Sequence, residues 1–160
     1  MPSKADAYWQ QFLDALPRGS SSPDRYLEFF SFGYLPEHGR SIGDLILDGK
    51  KTATADILWR RESVGLQTPS IGDLSIFHDG FESPMGVIET TEVEIVPFDE
   101  VTRDFAQSGG EWGGTLTEWR KSYWSWIEQE CAAIGREPVT NIPMICERFN
   151  VVYSESLNGG

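Results

Sequence analysis

The alternation of hydrophobic period along the chain constrains its fold more than any single residue does. From Thr115 the run "TLTEWRKSYWSWIEQECAAI" sets Leu116, Trp119, Tyr123, Ile127, Cys131 and Ile134 on one stripe at helical spacing, and Thr115 with Glu118 forms a capping box ahead of it. Upstream, "GDLSIFHDG" and "SPMGVIETTEVEIVPF" carry β-branched residues with partial alternation, and Asp79-Gly80 supplies turn material, a pattern of antiparallel strands. "MICERFNVVY" reads as a closing strand. With no internal repeat and no linker, strands and helices mix in one α+β unit spanning residues 1–160.

The N-terminal third reads as helical. Tyr8, Trp9, Phe12, Leu13 and Leu16 recur near every 3.6 residues and are stopped by "PRGSSSP". "DRYLEFFSFGYL" is expected to continue as a second helix and a turn, so that residues 1 to about 31 form a helical extension. Ser41 is expected to cap a short helix, "SIGDLILDGK", closed by Gly49 in a left-handed C-cap position. A further helix is expected around Val101 to Ala106.

At 160 residues the chain has the length of one domain, and 9 Phe, 6 Trp and 5 Tyr are far too many aromatics for disorder. No run approaches the roughly 18 apolar residues of a membrane span, and the amphipathic start lacks a signal-peptide core, so a cytoplasmic location is expected. Cys131 and Cys146 are the only cysteines and share no CxxC spacing; they read as buried free thiols. A formal charge of -12 disfavours non-specific binding to duplex DNA, whereas a small or single-stranded ligand is compatible with it. The charge is uneven. Arg40 to Arg61 holds five bases and three acids, and Glu82 to Asp104 holds seven acids and one arginine.

His38 and His78 stand in no metal-binding spacing, and there is no GxSxG elbow or P-loop, so neither a built-in metal site nor a standard nucleophile or nucleotide signature is expected. Two stretches remain. In "DGKKTATADILWRR", Lys50 and Lys51 emerge at the negative end of a helix dipole and fit either a solvated basic turn or the rim of an anion-binding or catalytic pocket. Thr52 and Thr54 share one face of a regular strand and Lys51 takes the other, so joint action of Lys51 and Thr54 requires a bend. In "GGEWGGTLTEW", Glu111 could act as a general acid or base if desolvated, or be an ordinary wet loop residue. Trp59 and Trp112 are candidates for stacking on a base, or for the core.

Taken together, "FGYLPEHGRSIGDLILDGKKTATADILW", "IGDLSIFHDG", "MGVIETTEVEIVPFDEV", "DFAQSGGEW", "LTEWRKSYW" and "NIPMICERFNVVY" resemble the ASCH domain family from about Phe32 to Tyr153. The resemblance implies a PUA-like small mixed or antiparallel β-barrel surrounded by helices, and an association with RNA or modified-nucleoside recognition. Small bacterial relatives that deacylate N4-acetylcytidine carry G-x-K-T-x-T, matched here by Gly49, Lys51, Thr52 and Thr54. It implies Lys51 as base, Thr54 as nucleophile and Glu111 as acid or base. The family often has an arginine where this chain has Asp56. Longer members that resemble the whole chain include a ribonuclease.

Two hydrolase chemistries therefore stay open on the same pocket, beside a non-catalytic RNA-binding module and a closed small-molecule sensor. In amide hydrolysis, neutral Lys51 takes the Thr54 proton; no cofactor is needed. In RNA cleavage, Lys51 with Lys50 or Arg61 stabilises phosphoryl charge, and an added divalent ion serves where required. Expected ligands are RNA or a modified pyrimidine nucleoside, with Lys50, Thr52, Trp59, Arg61 and Trp112 as candidate binding residues.

Overall fold

A computed structural model describes residues 2–33, 35–111 and 114–155. The elements run α1 (Lys4–Ala15), β1 (Phe29–Phe30), α2 (Gly39–Leu47), β2 (Ala53–Ile57), α3 (Leu58–Ser63), β3 (Leu74–His78), β4 (Pro84–Pro97), α4 (Arg103–Ser108), α5 (Leu116–Ile134) and β5 (Pro143–Tyr153), with 3-10 turns at Pro36–His38 and Phe98–Glu100. The α+β reading holds. The strands form one mixed sheet in the order β1-β3-β4-β5-β2, antiparallel except where β1 runs parallel to β3.

α5 begins where the capping box places it: the Thr115 hydroxyl accepts the Glu118 N–H at 3.2 Å, and Gly135 ends the helix with φ 72°. Its stripe of Trp119, Tyr123, Ile127 and Cys131 is buried against Ala53, Ala55 and Ile57 of β2 and Met144 and Cys146 of β5. α1 buries Tyr8, Trp9 and Phe12 against Ile76, Val87 and Tyr153. α2 packs Ile42 and Ile46 with Phe32, Phe77, Ile88 and Phe149. Both cysteines are free and buried, and burial pushes the Cys146 thiol up to about 12.

Two expectations need correction. The segment expected to be a second helix contains no helix among its described residues; Phe29 and Phe30 pair instead with Ile76 and Phe77 as the sheet's edge. The aromatic run satisfies a pleated edge as readily as a helix face, and the tertiary pairing decides between them. α2 starts at Gly39, and Ser41 lies inside it, its hydroxyl donating to the His38 carbonyl at 3.1 Å rather than capping the helix.

The expected barrel is an open sheet. No ladder joins the edges β1 and β2 among the described residues. They are nevertheless linked by side chains. Arg61 of α3, directly after β2, reaches Glu28, directly before β1, at 2.7 Å, and also meets Asp56 of β2 at 3.2 Å. Register shifts in β4 at Val87/Ile88 and Thr90/Glu92 add the local twist that such curling needs. Salt bridging thus ties the sheet's ends together where hydrogen-bonded strands do not.

Candidate functional site

α2 ends in a tight turn: Asp48 caps it, Gly49 adopts φ 77°, and both Lys50 and Lys51 donate their N–H to the Leu45 carbonyl, at 2.9 and 3.1 Å. β2 starts only at Ala53, so Lys51 precedes the regular strand. That irregular start supplies the bend that the alternation of strand faces demands. Lys51 and Thr54 both line one cavity of about 560 Å³.

The loop after α4 completes the Lys51 environment. Gly110 has φ 70°, and a Cβ there would lie 2.4 Å from the Lys50 carbonyl oxygen, so only glycine lets this loop press against the Lys51 turn. The Lys51 ammonium donates to the Gly109 carbonyl at 3.2 Å and to Glu111 Oε2 at 2.9 Å, with the Phe32 ring 5.8 Å away. Only 2% of Lys51 is exposed. Burial lowers its pKa below the ordinary lysine value, and the Glu111 carboxylate acts in the opposite sense without cancelling it.

Thr54 projects from β2 onto the cavity face, where the β2–β5 register sets it opposite Glu147. It also hydrogen-bonds Tyr123 of α5, another lining residue, whose hydroxyl meets the Ala55 backbone as well; burial raises the Tyr123 pKa, so this phenol stays protonated. Glu147 accepts a hydrogen bond from the Thr90 hydroxyl at 2.6 Å, and burial raises its pKa.

Arg61 also lines the cavity, but its guanidinium is committed to Glu28, Asp56 and the Gln67 carbonyl. Arg60 is held by Asp56 through two hydrogen bonds of 2.9 and 2.8 Å. Where the family often has an arginine, Asp56 thus binds two arginines brought in from α3. Lys50 and Thr52 are exposed and do not line the cavity. Trp59 packs on the α5 cluster with the Arg136 guanidinium 3.5 Å over its ring, away from the cavity. Trp112 lies outside the described residues.

Sequence reading missed Glu28, Tyr123 and Glu147 as cavity residues. For Glu147 a signal existed: in "MICERFNVVY" it is the charge on the face it shares with the apolar Ile145 and Phe149. Tyr123 was visible only as part of a core stripe, and it serves both surroundings. His78 is the last residue of β3, and its Nδ1 accepts the Gly80 N–H at 3.1 Å. Among the described residues, no three His, Cys, Asp or Glu side chains are arranged to hold a metal ion. No helix among them is long and apolar enough to cross a membrane.

No curated protein matches the chain. Among solved structures, an ASCH domain from Lactobacillus crispatus JV V101 matches with a TM-score of 0.84 at 27% identity, over 96% of each chain. A DUF984-family protein from Enterococcus faecalis V583 matches with a TM-score of 0.82 at 29% identity, over 98% of this chain and 92% of the other. The mixed sheet and its flanking helices are the architecture these structures share, and the broad PUA-like description fits it. The family profile described as the ASCH domain matches residues 28–153, and the chain belongs to the ASCH domain family.

Proposed function

We propose that the chain is a hydrolase that removes an acyl group from the exocyclic amine of a pyrimidine nucleoside, with Lys51 as base, Thr54 as nucleophile and Glu111 as proton donor. The observation that carries this reading is a buried Lys51 amine of lowered pKa, hydrogen-bonded to Glu111 and lining one cavity with Thr54. A lysine in bulk water would be charged at neutral pH and useless as a base.

Neutral Lys51 takes the Thr54 proton as the oxygen attacks the acyl carbon. The C–N4 bond then breaks, its electron pair stays on nitrogen, and the proton passes through Glu111 to that nitrogen, releasing the free exocyclic amine. Water, deprotonated by Lys51, hydrolyses the threonyl ester and restores the Thr54 hydroxyl. No added cofactor enters these steps.

Charge favours a neutral nucleoside over an RNA backbone as the cavity's ligand. The lining holds five carboxylic residues, Glu28, Asp56, Glu111, Glu130 and Glu147, against Lys51, Arg60 and Arg61. Each of those three cations already has a carboxylate partner. A phosphate would have to displace one of them. The volume falls within the roughly 300–1,000 Å³ of small-molecule sites.

The test is incubation with N4-acetylcytidine and with short RNA, each with and without a divalent ion, alongside Lys51→Ala and Thr54→Ala. Deacylation by the wild type, lost in both variants, supports the proposal. RNA cleavage without deacylation would establish the ribonuclease chemistry instead, and RNA binding indifferent to Thr54→Ala would leave a non-catalytic binding module.

A further inference from the structure

Four cavity carboxyls take no part in the proposed steps: Glu28 and Asp56 are held by Arg61, Glu130 accepts the Trp126 indole N–H at 3.1 Å, and Glu147 is the one paired with Thr54. It stands directly across from Thr54 in the β2–β5 ladder, and residues paired in this way project from the same face roughly 5 Å apart at Cβ. Thr90 anchors Oε2 at 2.6 Å, and no ion pair involves Glu147 among the described residues. The cation acting on it, Arg61, is already held by Glu28 and Asp56. Its carboxyl therefore faces a ligand-sized space beside the nucleophile with Oε1 unengaged by any hydrogen bond among the described residues.

On the acyl-pyrimidine reading above, we infer that Glu147 is the specificity-determining residue that reads the N3 and N4–H edge of the base. An N4-acylated cytosine presents an acceptor, N3, beside a donor, N4–H, and the acyl carbon is bonded to N4. A group flanking the nucleophile is thus placed to meet this edge. The matching partner is a neutral carboxyl, with one donor and one acceptor side by side. Burial raises the Glu147 pKa toward that form, outweighing the Thr90 hydrogen bond and Arg61, which act in the opposite sense. Thr90 donating to Oε2 leaves Oε1 as the place for the proton, aimed at N3.

Replacing N3 by C–H, as in 3-deazacytidine, removes the acceptor and keeps the shape, so binding of cytidine and 3-deazacytidine to the wild type, Glu147→Gln and Glu147→Leu isolates this contact. Calorimetry is expected to show the wild type binding cytidine about tenfold more tightly, since an unpaired buried polar group costs on the order of 1.4 kcal/mol. Glu147→Gln, whose amide still donates and accepts, keeps a preference of similar size. Glu147→Leu brings the ratio to about one. A purely structural role for Glu147 would weaken both ligands equally. An undiminished preference in Glu147→Leu, or no preference in the wild type, overturns the inference. Deacylation fails or succeeds separately: an inactive wild type that still shows a Glu147-dependent preference would remove the hydrolase reading and leave this one.

Discussion

The Lys51 ammonium meets the Glu111 carboxylate at 2.9 Å across a sequence separation of 60 residues. The contact brings the turn after α2 and the loop after α4 to one wall of the cavity that also holds Thr54. Its proton state sets the pH at which the base works. Burial lowers the Lys51 pKa, whereas Glu111 raises it. Activity is expected to climb with pH as Lys51 loses its proton, with a midpoint below the ordinary lysine value of 10.5. Removing the negative charge in Glu111→Gln lowers the Lys51 pKa further. A kcat/KM profile should show the rising limb displaced to lower pH in that variant, together with a reduced plateau; a shift to higher pH would contradict the assignment.

Gly110→Ala tests whether the loop's approach matters to the site. The new Cβ would lie 2.4 Å from the Lys50 carbonyl oxygen on a backbone at φ 70°. The loop must retreat and take Glu111 with it. Turnover is expected to fall by roughly a hundredfold, in line with the cost of about 1 Å of misplacement in a catalytic group. Circular dichroism should remain that of the wild type, because α5 and the sheet packing lie elsewhere.

Arg61 is expected to matter to stability more than Arg60. Arg61 is 5% exposed and links Glu28 to Asp56, so Arg61→Met leaves the Glu28 carboxylate without its cation, whereas Asp56 keeps Arg60. Breaking such a pair costs about 3 kcal/mol. The Arg60 side chain is 29% exposed, and Arg60→Ala should cost roughly 1 kcal/mol or less. Urea denaturation of both variants at low and high salt reads the difference, with Arg61 the less sensitive to salt.

Glu147 makes a stability prediction whose sign is set by its raised pKa. Between the unfolded value of 4.5 and the higher folded value, the native state binds more protons than the unfolded one, so this residue's contribution falls as pH rises through that window. Glu147→Gln removes the titration. The variant should gain on the wild type from about pH 4.5 upwards, as measured by thermal melts across pH; a widening deficit over that range would show that the folded carboxyl is ionised.

Local signals carried much of the fold. The α5 capping box, the Gly49 turn and the antiparallel strands follow from short-range chemistry that one stretch of sequence contains. The Phe29–Phe30 edge strand does not, because its helical alternative is excluded only by pairing with β3, 47 positions away. The site divides in the same way. "GKKT" announces Lys51, and the glycines before Glu111 mark a close approach, but what they approach is the Lys51 turn itself. The links between Asp56, Arg61 and Glu28 depend on sheet curvature, which no single segment encodes. Lys50 and Thr52 belong to the same short motif as Lys51, but the tight turn directs them to solvent.

In the proposed reaction the Thr54 hydroxyl, served by the buried Lys51 amine, takes up the acyl group. Rapid quenching of the enzyme with excess N4-acetylcytidine, followed by intact-mass and peptide mass spectrometry, tests it most directly. One acetyl group on Thr54 in the wild type, absent from Lys51→Ala, is the expected result. Undiminished deacylation by Thr54→Ala would contradict it.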